Sequence, residues 1–324
     1  MRNTLRLEEP CCEICRNKRY LKTIMENVEG WESSEKFSFV ECQNCGLIFM
    51  SPRYRFEDQK KIYSKKEYWA LDELANLDFK KLIKRREKGF GYLYKKIFKH
   101  KNKGVIFDVG MGNGLFLSKF KEKGWEVWGN DISSPALDFA FKKFGIKGIL
   151  ADFLSVNLPQ NYFDVITLNN VLEHLHYPFK TLKKINYCLK RDGLLVLVVP
   201  NIESLGAKLF WKNWYSLHPG YHLFLFSPHS LKKMLFSAGF KKEKVYHSYF
   251  THNYYSWFES IRHNFSPKFK KNKKEKDYGL NFEKKFGFFR KILKKIGIIF
   301  AFLGCQIGQI FKKGEVITVY ARKI

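Results

Sequence analysis

The chain has 324 residues, 45% of them hydrophobic and 28% charged, which excludes global disorder and gives room for one large domain or an ordinary domain with a small partner. Lysine and arginine number 59 against 31 acids, a formal charge of +28; a balance this basic favours anionic partners, although lysines spread along most of the chain fit a compositional drift toward Lys, Phe and Ile equally well. The opening MRNTLRLEEPCC lacks the apolar stretch of a secretory signal, and the longest charge-free apolar run, Ile296–Phe311, is shorter than the ~20 residues that span a bilayer, so the expected location is cytoplasmic, with peripheral membrane contact at most.

Residues 1–56 read as a zinc ribbon. Cys12 and Cys15 form one CxxC pair, and Cys42 and Cys45 form a second after a 26-residue gap. In a reducing compartment two such pairs point to a metal rather than to disulfides, and four thiolates offer Zn²⁺ a closed tetrahedral shell. Cys11 is a neighbour, but only Cys12 gives the two-residue spacing. The stretch FSFVECQNCGLIFMSP alternates around the second pair as a hairpin would, with Gly46 at the turn and Pro52 at the end. Cys188 and Cys305 stand apart and read as packing residues.

Residues 57–103 are polar with helical spacing and read as a helical lid or linker, interrupted at Gly89 and Gly91. From 104 the rhythm changes. Strands are expected at VIFDV (105–109), WEVWGND (125–131), GIKGIL, FDVITLN (163–169) and LLVLVV, with helices between them. That alternation implies right-handed βαβ units and a parallel sheet. A helix at SPHSLKKMLFSAGF (227–240) and a strand at KKEKVYHSYF follow. Residues 251–314 then read as a basic and apolar insertion, because the final EVITVYARK alternates like a strand and needs the sheet as its partner. Residues 261–324 alone carry 17 Lys/Arg against 4 Asp/Glu.

The loop Asp108-Val-Gly110-Met-Gly112-Asn-Gly114 joins the first of these strands to its helix. It lacks the Gly-Lys-Ser/Thr of a Walker loop and the third glycine of a dinucleotide loop. An acid just before the loop would repel a pyrophosphate. It suits a ligand with a cationic group such as the ammonium of S-adenosylmethionine, which the glycines let the backbone approach closely. Asp131 ends the second strand, where a carboxylate can accept from both ribose hydroxyls. Asp152 follows the third strand, placed to accept from an adenine amino group while Phe153 packs on the ring.

With DVGMGNG, WGNDIS, ADF, FDVITLNNVLEHL, LKRDGLLVLVVPN and HLFLFSPHSLKKMLFSAGF, the chain resembles the class I S-adenosylmethionine-dependent methyltransferases over roughly 104–250 and the last strand. The N-terminal cysteines and YSKKEYW resemble the small-molecule members in which a zinc ribbon precedes the catalytic domain, members often linked with sugar, polysaccharide or secondary-metabolite tailoring. The resemblance implies an α/β Rossmann-like fold, a seven-stranded sheet with its last strand antiparallel, over 104–250 plus 315–324. It implies cofactor roles for Gly110, Gly112, Gly114, Asp131, Asp152 and Asn169, to which Asp108, Ile132 and Phe153 are added as neighbours. Met111 departs from the small residue or cysteine that is commoner there.

Methyl transfer from a sulfonium is an in-line displacement that needs alignment and, for an alcohol or carbon acid, a base. Candidate bases are His222 first and His218 second, flanking Pro219-Gly220-Tyr221 after the fifth strand. Glu173 and His174 read rather as residues that position the segment after the fourth strand. Trp211, Trp214 and Tyr215 are candidates for an acceptor wall. The expected acceptor is a small molecule, a sugar or a lipid-linked compound. Two rival readings are an RNA methyltransferase gripping its substrate with ribbon and lysines, and a non-catalytic scaffold. No recognisable RNA module accompanies the basic residues, and Asn169-Asn170-Val171-Leu172 stands where a DNA-base enzyme would carry Asn/Asp-Pro-Pro-aromatic. Residues 284–313 are expected to lie on an anionic membrane surface, or to pack against the sheet or in a dimer contact.

Overall fold

The structure, a computed structural model, describes residues 6–30, 35–58, 78–248, 256–262 and 297–324. The stretch YSKKEYW, the basic run 268–279 and residues 284–296 of the expected membrane segment lie outside them.

The largest element is a seven-stranded sheet in the order β12-β13-β10-β9-β6-β7-β8. It comprises β6 (Val105–Val109), β7 (Glu126–Asp131), β8 (Ile149–Leu150), β9 (Phe163–Asn169), β10 (Leu189–Pro200), β12 (Phe240–Ser248) and β13 (Val316–Lys323). Strands β6 to β10 run parallel, and β13 slots antiparallel between β10 and β12. The orphan C-terminal strand thus finds the partners its alternation demanded. Both faces are covered, which explains the unbroken apolar runs of the central strands. Ile106, Val165, Val196 and Val198 point to one core; Phe107, Ile166, Leu195 and Leu197 point to the other, as the period of two requires.

Helices α1 (Phe79–His100), α2 (Leu115–Glu122) and α3 (Ser134–Phe144) contribute to the first core, and α4 (Pro178–Cys188), α5 (Leu205–Phe210) and α6 (Pro228–Ser237) to the second. α1 runs through Gly89 and Gly91 without a break, contrary to the expected interruption. Two glycines cost about 1 kcal/mol each relative to alanine. Burial of Leu82, Leu93, Tyr94 and Ile97 on the same helix outweighs that.

The N-terminal strands β2 (Leu21–Glu29), β3 (Lys36–Cys42) and β4 (Ile48–Met50) form the expected hairpin around the second cysteine pair. They are not self-contained. Their sheet has the order β11-β4-β3-β2, and β11 (Phe224–Leu225) comes from the loop that carries His222. Phe39, Phe49 and Phe224 share one continuous core with the second face of the large sheet. Arg53, on β5 (Arg53–Tyr54), which pairs with β1 (Leu7–Glu8), adds a polar clamp. Its guanidinium pairs with Glu8 at 2.8 Å and reaches the carbonyl of His176.

Between β12 and β13, residues 256–262 form helix α7 and residues 297–310 form helix α8. α8 turns its small residues inward. Ala301 and Cys305 are buried, and Gly304 lies so close to the Trp257 ring that a Cβ there would sit 2.2 Å from it. The opposite face exposes Ile299, Phe300, Phe302, Leu303, Ile307 and Ile310. Packing and exposure, posed as rivals by the sequence, occupy two faces of one helix.

Candidate active site and metal centre

The carboxyl ends of β6 to β9 lie on one side of the sheet, where the ligand crevice of such folds is found. The glycine loop Gly110–Gly114 arches over it between β6 and α2. Gly110, Gly112 and Gly114 all have positive φ, at 67°, 53° and 71°. A Cβ on Gly110 would meet Val171 at 2.7 Å, and one on Gly114 would meet Ala140 at 2.8 Å. Met111 turns down from the loop and is buried; its sulfur occupies the room that side chains at Gly129 and Gly148 would need. Two glycines therefore accommodate the large residue at this position.

Asp131 holds the loop from the side. Its Oδ2 accepts from the Gly112 amide at 2.8 Å and its Oδ1 from the Ser133 amide at 2.9 Å. Each oxygen keeps a second lone pair for a ribose hydroxyl. The neighbouring Ile132 is 46% exposed, an apolar platform at the crevice edge. Asp152 caps the turn Phe153–Ser155 by accepting from the Leu154 amide at 3.0 Å. Phe153 is buried, with its ring edge-on to Phe107 at 5.6 Å and under the Lys184 ammonium. That packing leaves its ring little surface for a base, whereas Ile132 has surface to offer. Asn169, at the end of β9, is half-buried and accepts from the Asn170 side chain.

Asp108 lies inside β6, wholly buried, and Thr167 donates its hydroxyl to it. Burial pushes its carboxyl up to about 7, with the nearby Asp131 adding to the rise. A cation at the loop would favour the ionised form. Thr167 was not singled out in the sequence; the alternation of β9 places it opposite Asp108 in register.

Val171 packs directly against Gly110 and brings the turn Leu172–His174 beside the loop. Glu173, His174 and His222 converge there, with one ligand-type atom of each within 4.8 Å of the others. The Glu173 carbonyl accepts from the Leu223 amide, which ties the two segments together. His222 Nδ1 lies 2.8 Å from the Ser216 carbonyl, and His174 Nδ1 lies 3.1 Å from the Tyr221 carbonyl. A carbonyl only accepts, so both rings carry a proton on Nδ1, and in the neutral form the lone pair is on Nε2. Burial holds the His222 imidazolium well below its usual range, with His174 and His218 adding repulsion. His222 is therefore a neutral imidazole. His218 stacks on Tyr221 and meets His222 edge-on at 5.2 Å.

The expected aromatic wall is only partly at the surface. Trp211 is 45% exposed, but Trp214 is buried and donates to Glu315 at 2.6 Å. Trp257 and the Gly206 amide also donate to Glu315. The Tyr215 amide donates to Ser260. These residues anchor the loop before His222 to α7 and β13, which sequence spacing alone did not reveal.

The sequence profile of the methyltransferase domain family matches residues 82–245, half of the chain. The chain belongs to that family. Its cofactor is S-adenosylmethionine. An uncharacterized protein of Methanocaldococcus jannaschii is 34% identical over 115 residues, covering 34% of this chain and 47% of that protein. The ubiquinone biosynthesis O-methyltransferase of Actinobacillus pleuropneumoniae is 31% identical over 100 residues, covering 28% and 43%. The chain spans about half the length of the curated relatives it matches. Among solved structures, a S-adenosylmethionine-dependent methyltransferase from Archaeoglobus fulgidus aligns with 76% of this chain and all of its own, at 21% identity and a TM-score of 0.46.

The chain also carries a cysteine cluster. The sulfurs of Cys12, Cys15, Cys42 and Cys45 all lie within 4.8 Å of one another, and Cys12 and Cys45 are 3.4 Å apart. Two tight turns present them: the Arg16 amide donates to the Cys12 carbonyl, and the Gly46 amide, at φ 71°, donates to the Cys42 carbonyl. The Cys45 thiol favours ionisation of Cys12 to about 5, while the Cys45 thiol itself is pushed up. Four sulfurs this close repel as thiolates unless a cation neutralises them. The donor set fits Zn²⁺, which these four residues would hold as a structural ion. Cys12 joins the cluster and Cys11 does not.

Proposed function

We propose that this chain transfers a methyl group from S-adenosylmethionine to a small-molecule acceptor, a sugar or a lipid-linked compound. The observation that carries this reading is the facing pair of features across one crevice: a DxGxGxG loop locked to Asp131, and a buried, neutral His222. In this reading Gly110, Gly112 and Gly114 admit the methionine part. Asp131 takes the ribose, Ile132 and Asp152 take the adenine end, Asn169 borders the crevice, and Asp108 supplies negative charge beneath the loop. The acceptor oxygen attacks the methyl carbon in line with its bond to sulfur, and the neutral thioether leaves. The acceptor proton passes to His222, with His218 next in order. Glu315 and its tryptophans fix the loop on which both stand.

Turnover with S-adenosylmethionine bearing a deuterated methyl group tests this. A small acceptor should gain one labelled methyl, and His222→Ala should lose about a hundredfold or more in rate while binding cofactor as before. Label found on RNA instead, or a His222→Ala rate equal to wild type, would overturn the assignment.

The exposed face of α8 supports a place for this acceptor at an anionic lipid surface. Phe302, Leu303, Ile307 and Ile310 can enter the headgroup boundary, and Lys312 and Lys313 follow them, each worth about 1 kcal/mol near such a surface. Among the described residues no helix is long and apolar enough to cross a membrane, so α8 would lie flat. The full chain should sediment with vesicles containing anionic lipid and not with neutral ones. Phe302→Asp with Ile310→Asp should weaken this at least tenfold. Equal partition to neutral vesicles, or none at low salt, would remove the membrane from the function.

A further inference from the structure

We infer that Glu173, His174 and His222 form a second metal site, a two-histidine, one-carboxylate centre for a divalent ion of the zinc class, at the acceptor end of the crevice. The placement in that crevice rests on the reading above; the binding of an ion does not.

The first ground is geometry. One potential ligand atom from each of the three side chains lies within 4.8 Å of the other two. Three atoms this close can share one ion at bonds of about 2.0–2.2 Å. The second ground is Glu173. The residue is 1% exposed, and among the described residues neither carboxylate oxygen has a hydrogen-bond partner. A buried, unpartnered carboxylate is costly. A positive ion is the partner that this buried carboxylate, set beside two imidazoles, lacks among the described residues. The third ground is orientation. Metal-binding histidines usually donate their other ring N–H to a carbonyl or carboxylate, which fixes the tautomer. Both rings here do so, to Ser216 and Tyr221, so each neutral ring has its Nε2 as a ligand atom.

Three ligands leave a coordination position open, as in catalytic rather than structural zinc sites. An acceptor hydroxyl bound there would lose its proton more readily, because the ion stabilises the oxyanion. The proton leaves to solvent and the oxyanion attacks the methyl carbon. His222 is then a ligand, and no side chain needs to take up the proton. The choice between an imidazole base and an imidazole ligand is a matter of occupancy that metal binding alone decides.

The test uses the full chain loaded with Co²⁺ in place of zinc. Wild type should bind two ions per chain. One should show the intense sulfur-to-cobalt absorption of the cysteine cluster, and the other only weak visible bands from nitrogen and oxygen ligands. Glu173→Gln keeps the shape and should hold one ion, with the sulfur absorption intact. Cys42→Ser should lose that absorption, which assigns it to the cysteine cluster. Should Glu173→Gln fail to fold, the wild type answers alone. Paramagnetically shifted, exchangeable Nδ1–H proton resonances from two histidines must appear with the second equivalent of Co²⁺. A wild type that binds one ion, with all its absorption assigned to sulfur, would overturn the site. So would two ions in a folded Glu173→Gln. Neither result bears on methyl transfer, so failure here is distinguishable from failure of the proposed reaction.

Discussion

Cys42→Ser is expected to leave S-adenosylmethionine affinity within a few-fold of wild type while lowering methyl transfer by about ten- to a hundredfold. The path is structural. Cys42 ends β3 with its sulfur wholly buried in the cluster. Losing one thiolate removes the structural ion whose binding energy holds the two turns together. β3 pairs with β4 through Phe39–Met50 and Val40–Phe49, and β4 pairs in turn with β11 through Phe49–Phe224. The Met50 amide donates to the Leu223 carbonyl, and the Leu223 amide donates to the Glu173 carbonyl. Every bond in that series converges on the segments bearing Glu173 and His222. Residues of the glycine loop hang instead from β6, β7 and α2, and among the described residues they do not pair with the ribbon strands. Calorimetry and turnover on the same preparation separate the two effects. Unchanged turnover in zinc-free protein would make the ribbon an appendage. Lost cofactor binding would make it a support for the whole sheet.

That link between ribbon and catalytic loop was the part least legible in the sequence. Regular alternation made the parallel strands, the C-terminal antiparallel strand and the ribbon hairpin readable, because periodicity reports local burial. β11 is two residues long, too short for any period. Its pairing with β4 joins positions some 175 apart, a distance on which spacing carries no information. The Glu173–His174–His222 cluster was half visible. All three residues were noticed, but the two segments meet only through tertiary packing. The carboxylate's lack of a hydrogen-bond partner is a property of the folded environment. Gly89 and Gly91 show the reverse error, in which local propensity predicted a break that burial elsewhere on α1 overrode. Met111 shows a third kind. Its size looked anomalous in the loop until Gly129 and Gly148, each far along the chain, were seen to leave the space for it.

Gly112→Val should weaken S-adenosylmethionine binding by more than a hundredfold. Gly112 sits at the apex of the loop with φ at 53°, a conformation that costs a non-glycine residue ~1–2 kcal/mol and a β-branched one more. The variant relieves that strain by turning its backbone, and the turn removes the amide that Asp131 accepts at 2.8 Å. Burial raises the Asp131 carboxyl above its usual range, while the amides of Ser133, Gly112 and Ile132 oppose the rise. Losing one of those donors makes the charged form of Asp131 less favourable at the same moment that the loop closes over the methionine position. Backbone strain, lost charge and steric occlusion then act together. More than a hundredfold corresponds to upwards of about 2.7 kcal/mol, within what strain and a lost charge-assisted hydrogen bond supply. Gly89→Ala is the matched control. A Cβ at Gly89 meets nothing within 4 Å, so that variant should bind cofactor as wild type does and gain about 1 kcal/mol in stability. Calorimetric titration of both decides the matter: equal affinity in folded Gly112→Val would move the cofactor site away from this loop.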